Sequence, residues 1–498
     1  MKKLISKYLR NSLCLIIMTS ILTVGLSTSI FAQDKPNVVY ILVDNTGWGD
    51  FSVYGGTTPT PNIDKLASQG MRFNNYNVEA QCTPTRSAIM TGRHPVRSGT
   101  YKVPFPGEGK DGMSPWEYTI AELLSDGGYK TALYGKWHLG HDQSRLPNTQ
   151  GFDEWWGYPN SADESAYSSY PMFNLMVEEV KAKNNGKLPM DLPPHILTGK
   201  KGELSTQVMP FDLEVRPIID QKYNVPKTIE FIKKNANTRD PFFVYLAYSE
   251  VHPPMIANPE FAGKSSNRGG VYSDVIAEMD VRVGEVVAAV KAAGIADNTI
   301  IILASDNATG GLYGAGGNGG SNGPWRGDFF NTPFEGSMRV PCIVSWPEKI
   351  PAGTVNDEIF AAVDWLPTLA GLTGLTANVP TDRPIDGVDA SAFLLGKSKT
   401  TGRTSYMFFG ADGNLMSVKW RYYKTVFRYS EGISSPYVEP QLPLMYDLSS
   451  DPGEKFNLWE STLTNGWVFA PTLEVIGNYK RSLAKYPNIK VGEDFKGY

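Results

Sequence analysis

The residues with the most reactive chemistry in the 498-residue chain cluster in one run, CTPTRSAIMTGR, from Cys82 to Arg93. Pro84 presets φ for a first helical turn and removes a donor that would be unpaired there, and Gly92 stands where a short helix needs a left-handed C-terminal residue. The spacing therefore predicts a helix over residues 87–91. Cys82 would lie just before its N-terminus, where free backbone N–H groups and the positive end of the helix dipole favour an anion. Arg86, one turn further on, adds a planar fork of donors. A nucleophile beside an anion-binding turn is the chemistry this stretch suggests.

Two further pairs, Asp44-Asn45 and Asp306-Asn307, offer only oxygen ligands. Hard oxygen donors select Ca²⁺ or Mg²⁺ over zinc, and amide carbonyls suit the flexible shell of calcium better than the strict octahedron of magnesium. Taken alone, an Asp-Asn pair after a strand is more often a turn or a helix cap. The chain has only five histidines, at 94, 138, 141, 195 and 252.

What must position these groups is an alternation of strands and helices. Residues 38–43 (VVYILV), 242–247 (FFVYLA) and 299–303 (TIIIL) are continuous apolar runs of strand length, the pattern of strands buried on both faces. Residues 61–68, 119–124 and 273–292 carry helical patterns. The first run leads into Asp44-Asn45, the last into Asp306-Asn307, the second into His252, and TALYG, ending at Gly135, into Lys136 and His138. Ligands in open α/β sheets bind beyond the carboxyl ends of strands, so four runs deliver polar residues to one edge.

The pattern C-x-P-x-R followed by SAIMTGR resembles the signature of the sulfatase family, in which that Cys is oxidised to formylglycine. NVVYILVDNTGWGD resembles the family's opening, SDNA its second metal motif, GKWHLG (135–140) a further motif residue for residue, and LMYDLSSDPGEKFNL its C-terminal region. The resemblance implies an α/β, alkaline phosphatase-like fold with a large mostly parallel sheet flanked by helices and a smaller C-terminal antiparallel sheet subdomain. It implies sulfate-ester hydrolysis, of aryl or carbohydrate sulfates, with Ca²⁺ (or Mg²⁺) held by Asp44, Asn45, Asp306 and Asn307. Cys82, Arg86, Lys136, His138 and His252 would be catalytic, Lys136 on the sulfate, His252 donating a proton to the leaving oxygen and His138 acting on the formylglycine hydroxyls. One hydroxyl of the hydrated aldehyde would attack sulfur, and loss of the second hydroxyl's proton would expel sulfate. Ser161, in GYPNSA, stands near the place of the family's sulfate-contacting Ser.

Two departures stand out. The family usually has two consecutive Asp residues where this chain has Asp44-Asn45. It also commonly carries a substrate-binding Lys where this chain has Asp328, Phe329 and Phe330; Arg326, in the same loop, is the candidate replacement.

The opening segment, with Lys2, Lys3, Lys7 and Arg10 before an apolar run without acids, has the layout of a signal peptide over residues 1–32. An exported, periplasmic or secreted, protein without a stable membrane anchor is expected. Removing those four positive charges moves the formal charge from −4 to −8, which argues against nucleic-acid or anionic-membrane partners. Only Cys82 and Cys342 then remain, so no disulfide framework is expected. The domain reading is a catalytic α/β domain over 33–400 and a C-terminal α+β subdomain over 401–498. The glycine-rich stretch 310–323 is expected to be a rim or lid, and the aromatic-rich stretch 155–173 either lines an acceptor site or packs. Expected partners are a small-molecule or saccharide sulfate ester and a formylglycine-generating maturation enzyme. A phosphonate or phosphodiester hydrolase of the same superfamily, and a catalytically silent exported binding protein, are the competing readings.

Overall fold

The computed structural model describes residues 35–104, 111–167, 171–183, 185–187, 194–265, 270–310, 319–330, 333–431, 435–461 and 463–498. The signal-peptide segment 1–32, most of the glycine-rich stretch (311–318) and part of the aromatic-rich stretch (168–170) lie outside the described residues. Residues 36–498 form one compact unit. No helix among the described residues is long and apolar enough to cross a membrane.

The apolar runs become the centre of an eleven-stranded sheet. In chain order its strands are β1 (Asn37–Val43), β2 (Met71–Asn77), β3 (Lys130–Lys136), β4 (Glu154–Tyr158), β5 (His195–Lys200), β6 (Thr206–Pro210), β7 (Phe242–Ala247), β8 (Thr299–Ser305), β9 (Arg339–Ser345), β10 (Thr354–Asn356) and β11 (Phe360–Ala361). Their spatial order is β10-β2-β9-β8-β1-β7-β3-β4-β5-β6, with β11 also on β2. The five central strands β8-β1-β7-β3-β4 are mutually parallel, and β9, β5 and β6 add antiparallel pairings.

Both faces of β1 are buried, which is why its sequence does not alternate. Val38, Tyr40 and Leu42 point into one core with helices α2 (Cys82–Thr91), α3 (Ile120–Asp126) and α6 (Trp365–Thr373). Val39, Ile41 and Val43 point into the other, with α1 (Pro61–Ser68), α4 (Val225–Asn235) and α5 (Val271–Ala292). Each such side chain contributes about 1.5–3 kcal/mol by leaving water. The helix ends follow local rules: Pro61 opens α1, and Thr119 and Glu122 form a reciprocal capping box on α3.

Residues 155–158 pack rather than line an open site. Trp155, Trp156 and Tyr158 on β4 are buried in the two cores. A second sheet, β12 (Ser405–Phe409), β13 (Leu415–Trp420), β14 (Tyr423–Val426) and β15 (Leu444–Asp447), is antiparallel throughout and carries helix α7 (Phe469–Leu483) through Ile476. It is tied to the large sheet by buried charges: Lys419 on β13 donates to Glu335 Oε2 at 2.7 Å and Asn75 Oδ1 at 3.1 Å, and Lys424 on β14 lies 2.6 Å from Glu335 Oε1.

Candidate active site

Strand register assembles the site. Val43 of β1 pairs with Ser305 of β8, so Asp44 and Asp306 are the next residues out on neighbouring strands. Gly135 of β3 pairs with Ala247 of β7, and Lys136 pairs with Tyr158 of β4, which places Lys136, the β7–His252 segment and Ser161 at the same edge. Gly135 is required there: its φ is +107°, and a Cβ would lie 1.9 Å from the Ala247 carbonyl oxygen. Five parallel strands, one more than the four apolar runs suggested, therefore end at the site.

The helix carrying Cys82 is longer than its sequence suggested. α2 begins at Cys82 itself instead of at residue 87, because Thr85 N–H already donates to the Gln81 carbonyl at 3.2 Å and Pro84 occupies the third position, where no intrahelical donor is needed. Gly92 closes it in the left-handed conformation, φ 67°. Cys82 is buried, and its Sγ, a carboxylate oxygen of Asp44 and a ring nitrogen of His252 all lie within 4.8 Å of one another. Burial pushes the thiol up to about 12, with Lys136 opposing, so an unmodified Cys82 is a neutral thiol at physiological pH and not an activated nucleophile.

Arg86, fully buried, donates through Nε and Nη2 to Asp306 Oδ2 at 3.0 and 2.8 Å, through Nη1 to the Lys136 carbonyl at 2.9 Å, and lies 3.5 Å from Asp44 Oδ2. Lys136 Nζ lies 2.7 Å from Asp44 Oδ2. Burial alone would raise Asp44, but Lys136, His252 and Arg86 outweigh it and hold the carboxyl below its usual range. Asp306 is pushed up to about 6, first by burial and then by Asp44, despite Arg86 and Lys136.

A relay continues outward from Lys136. Its Nζ donates to Ser161 Oγ at 3.4 Å, and that oxygen is 3.2 Å from His252 Nε2. His252 Nδ1 is 2.7 Å from the Pro253 carbonyl, which can only accept, so Nδ1 carries the proton and Nε2 accepts from Ser161 in the neutral ring. Ser161 and His252 are each 9% exposed, against 0% for Lys136, Arg86, Asp44 and Asp306, so the relay marks the side that opens outward. His138, at φ 61°, is buried with both ring nitrogens unpartnered among the described residues, and burial, then Lys136 and Arg86, lower its proton affinity far below the usual value. It is a neutral base facing no donor among the described residues.

The oxygen-donor set fits a hard divalent cation. Asp44 Oδ1 and Asn307 Oδ1 are buried oxygens without a hydrogen-bond donor among the described residues. Asn45 N–H donates to Asp306 Oδ1 at 3.2 Å, and the Asn307 amide donates to Asn45 Oδ1, so the two pairs are bonded to each other across the strand ends. Two carboxylates and two amides, with no thiolate or imidazole among them, are donors of the calcium or magnesium type.

Arg326 is not brought to this group. Its guanidinium donates to the Glu454 carbonyl at 3.0 Å, to Tyr446 at 3.4 Å and to Glu431 at 3.3 Å, and stacks on Phe334 with 3.6 Å to the ring centroid. Those contacts bind it to the C-terminal sheet region. Three supporting residues escaped the sequence reading. Arg216 holds the His252 loop, with Nη2 2.7 Å from both the Ser249 and His252 carbonyls. Asp50 ties the segment after Asp44 to the far end of the glycine-rich stretch, accepting from Gly47 and Ser321 N–H groups at 2.6 and 2.7 Å. Glu79, buried three residues before Cys82, accepts from Tyr406 at 2.9 Å. Asp50 closes the NVVYILVDNTGWGD stretch, but Arg216 and Glu79 sit in no motif, and only the strand-end position of Arg216's partners gave a signal.

Comparisons with known proteins agree with this geometry. A model of the sulfatase family matches residues 36–375, and a model of the N-sulphoglucosamine sulphohydrolase C-terminal region matches residues 329–468. The chain is 33% identical over 461 residues to N-acetylgalactosamine-6-sulfatase of Canis lupus familiaris, covering 86% of this chain and 82% of that protein. It is 33% identical over 482 residues to arylsulfatase A of Homo sapiens, covering 92% and 89%. The crystal structure of the PsFucS1 sulfatase from Pseudoalteromonas sp. superposes with a TM-score of 0.82 at 31% identity, over 92% of each chain. With the matched region spanning every strand that delivers a residue to the site, the chain belongs to the sulfatase family, the hydrolases of sulfuric esters.

Proposed function

We propose that this protein hydrolyses carbohydrate sulfate esters through residue 82 in its formylglycine form, with a calcium-type cation held by Asp44, Asn45, Asp306 and Asn307. The observation that carries this reading is the approach of Cys82 Sγ, Asp44 and His252 to within 4.8 Å, around a thiol that burial keeps protonated. A site with fixed cations and a proton donor around a thiol too weakly acidic to react calls for a different nucleophile at the same position. Sulfated saccharides are favoured because N-acetylgalactosamine-6-sulfatases are among the relatives.

Once oxidised, residue 82 offers an aldehyde hydrate with one hydroxyl to attack sulfur and a second to release it; a cation held by Asp44, Asn45, Asp306 and Asn307 would supply Lewis acidity to the attacking hydroxyl. Lys136 Nζ supplies a fixed positive charge; at about 4 Å a unit charge contributes roughly 4 kcal/mol at an effective dielectric near 20. Ser161 shares its hydroxyl between Lys136 and His252 and orients the bound oxyanion. His252 protonates the departing alcohol through Nε2, while its Nδ1–H stays on Pro253 and fixes the ring. The negative charge of an arriving sulfate offsets that of Lys136 and raises the proton affinity of the imidazole. His138, neutral and unpartnered, takes the proton of the second hydroxyl. Arg86 spends its donors on Asp306 and Lys136 and positions both. Export, through removal of residues 1–32, belongs to the same reading.

The test compares kcat/KM on nitrophenyl sulfate and nitrophenyl phenylphosphonate, using enzyme whose residue 82 has been read by peptide mass spectrometry. The shared leaving group makes the ratio report preference at the central atom. Sulfate preference with formylglycine at 82 is the expected result. Phosphonate preference would transfer the enzyme to phosphonate or phosphodiester hydrolysis, and full activity with unmodified Cys82 would remove the nucleophile assignment.

A further inference from the structure

The loop that carries His252 is one tight turn whose two ends an arginine holds. His252 N–H donates to the Ser249 carbonyl at 3.2 Å, which closes residues 249–252. Arg216 Nη2 donates to the Ser249 and His252 carbonyls, each at 2.7 Å, and so bridges the first and last residues of the turn. Nη1 donates to Ser249 Oγ at 3.0 Å and to Glu250 Oε1 at 3.2 Å. Ser249 Oγ itself donates to Asp220 Oδ2 at 2.9 Å, so the arginine and the acid grip one residue from two sides. Arg216, Asp220, Ser249 and Glu250 are all buried.

The middle of the turn is bonded to the cation loop. Asp44 N–H donates to the Glu250 carbonyl at 3.0 Å, and Val251 N–H donates to the Asp44 carbonyl at 2.7 Å. The same residues therefore join the carboxylate on the nucleophile side to the imidazole on the leaving-group side. Asp44 has a second hold, because it continues β1, which is paired with β7 and β8 along its length. His252 lies beyond the end of β7 at Ala247, and its backbone N–H and carbonyl are taken by Ser249 and Arg216.

A guanidinium suits this place by its shape. Its donors are spread over a rigid plane, so one side chain meets two carbonyls, a hydroxyl and a carboxylate; a lysine ammonium keeps the charge but gathers its donors at one atom. A reacting group displaced by about 1 Å can lose about 10²-fold in rate. Here the loss falls on proton transfer, in which Nε2 of the imidazolium protonates the bridging oxygen as its S–O bond breaks. The ring is left neutral, with Nδ1–H on Pro253.

We propose that Arg216 is the positioning residue for this proton transfer, setting through the turn where His252 Nε2 meets the leaving oxygen. The proposal rests on the role given to His252 above.

The experiment measures kcat/KM of the matured enzyme on phenyl sulfate and nitrophenyl sulfate. Phenolate is the poorer leaving group and depends more on a donated proton. Arg216→Lys should lose about 10²-fold on phenyl sulfate and only severalfold on nitrophenyl sulfate. His252→Ala is the benchmark, with a larger selective loss on phenyl sulfate. Ser249→Ala, which removes one contact of the arginine and keeps both carbonyls, should shift the ratio the same way by about threefold, and it decides the matter if Arg216→Lys does not fold. A merely structural role lowers the melting temperature or the active fraction and reduces both rates by one factor. Equal losses on the two esters, or none, beside a selective loss in His252→Ala would overturn the proposal and leave the acid assignment standing. No selective loss in His252→Ala would remove the acid assignment, and the positioning role with it. A wild type inert toward both esters would remove the sulfatase reading itself.

Discussion

Arg86 sends two donors, Nε and Nη2, to a single oxygen of Asp306, leaving the other oxygen of that carboxylate to the Asn45 N–H. The fork thus neutralises one of the two buried acids through a single oxygen. Arg86→Met removes the partner of a fully buried carboxylate that already sits beside Asp44. It should destabilise the fold by about 3–5 kcal/mol in urea unfolding. Added calcium should restore part of the loss, since a bound cation supplies the missing positive charge.

Cys82→Ser keeps a hydroxyl of similar size in the first turn of α2. A serine can be sulfated but has no second hydroxyl with which to expel sulfate. Turnover of nitrophenyl sulfate should fall by about 10³-fold or more, with the sulfated protein accumulating in intact-mass spectra. Turnover near that of the wild type would contradict the proposed mechanism.

Asn45→Asp restores a carboxylate that the family usually has. Asn45 touches both Asp306 and Asn307, so without a cation the new charge adds repulsion to a pair of acids already under strain from burial. Thermal melting in chelator should occur a few degrees lower, and calcium affinity by calorimetric titration should rise by about tenfold. Equal or weaker affinity would show that Asn45 is not a ligand.

His94 gives the stability a defined acid limb. It is buried against Tyr406 and Phe409, and burial lowers its pKa to about 4 even though Asp386 pulls the other way. Between about 6.5 and 4 the unfolded chain binds a proton that the native state refuses, so stability falls as pH drops through that window and is fully present above it. His94→Gln should flatten the fall, removing about 2–3 kcal/mol of pH dependence between pH 7 and 4. Urea midpoints across that range measure it; an unchanged slope would assign the acid sensitivity to other groups.

Much of the fold was legible because burial on both faces writes itself as unbroken apolar runs, as in β1, β7 and β8. Strand β4 was not: EWWGY is short and aromatic, and its burial depends on β3 and β5 alongside it. The acids and Lys136 followed from their places after strands and from family motifs. The start of α2 was missed because Thr-Pro-Thr has weak helix propensity, which tertiary packing overrides; Thr85 also bonds to Glu79, outside the helix. Arg216 and Glu79 could not be found from the sequence because their partners are reached only on folding, Tyr406 lying 327 residues from Glu79. Arg326 shows the converse, a plausible charge in the right loop whose donors the C-terminal sheet region takes up.

The whole first turn of α2 is buried, Cys82 included. On the proposed mechanism a second enzyme must grasp this side chain and oxidise it, which requires the segment to be extended and accessible. Conversion therefore has to precede folding, and a chain that folds first is locked out for as long as it stays native. The active fraction of any preparation then records a race between two rates, set while the chain is being made and not adjustable afterwards.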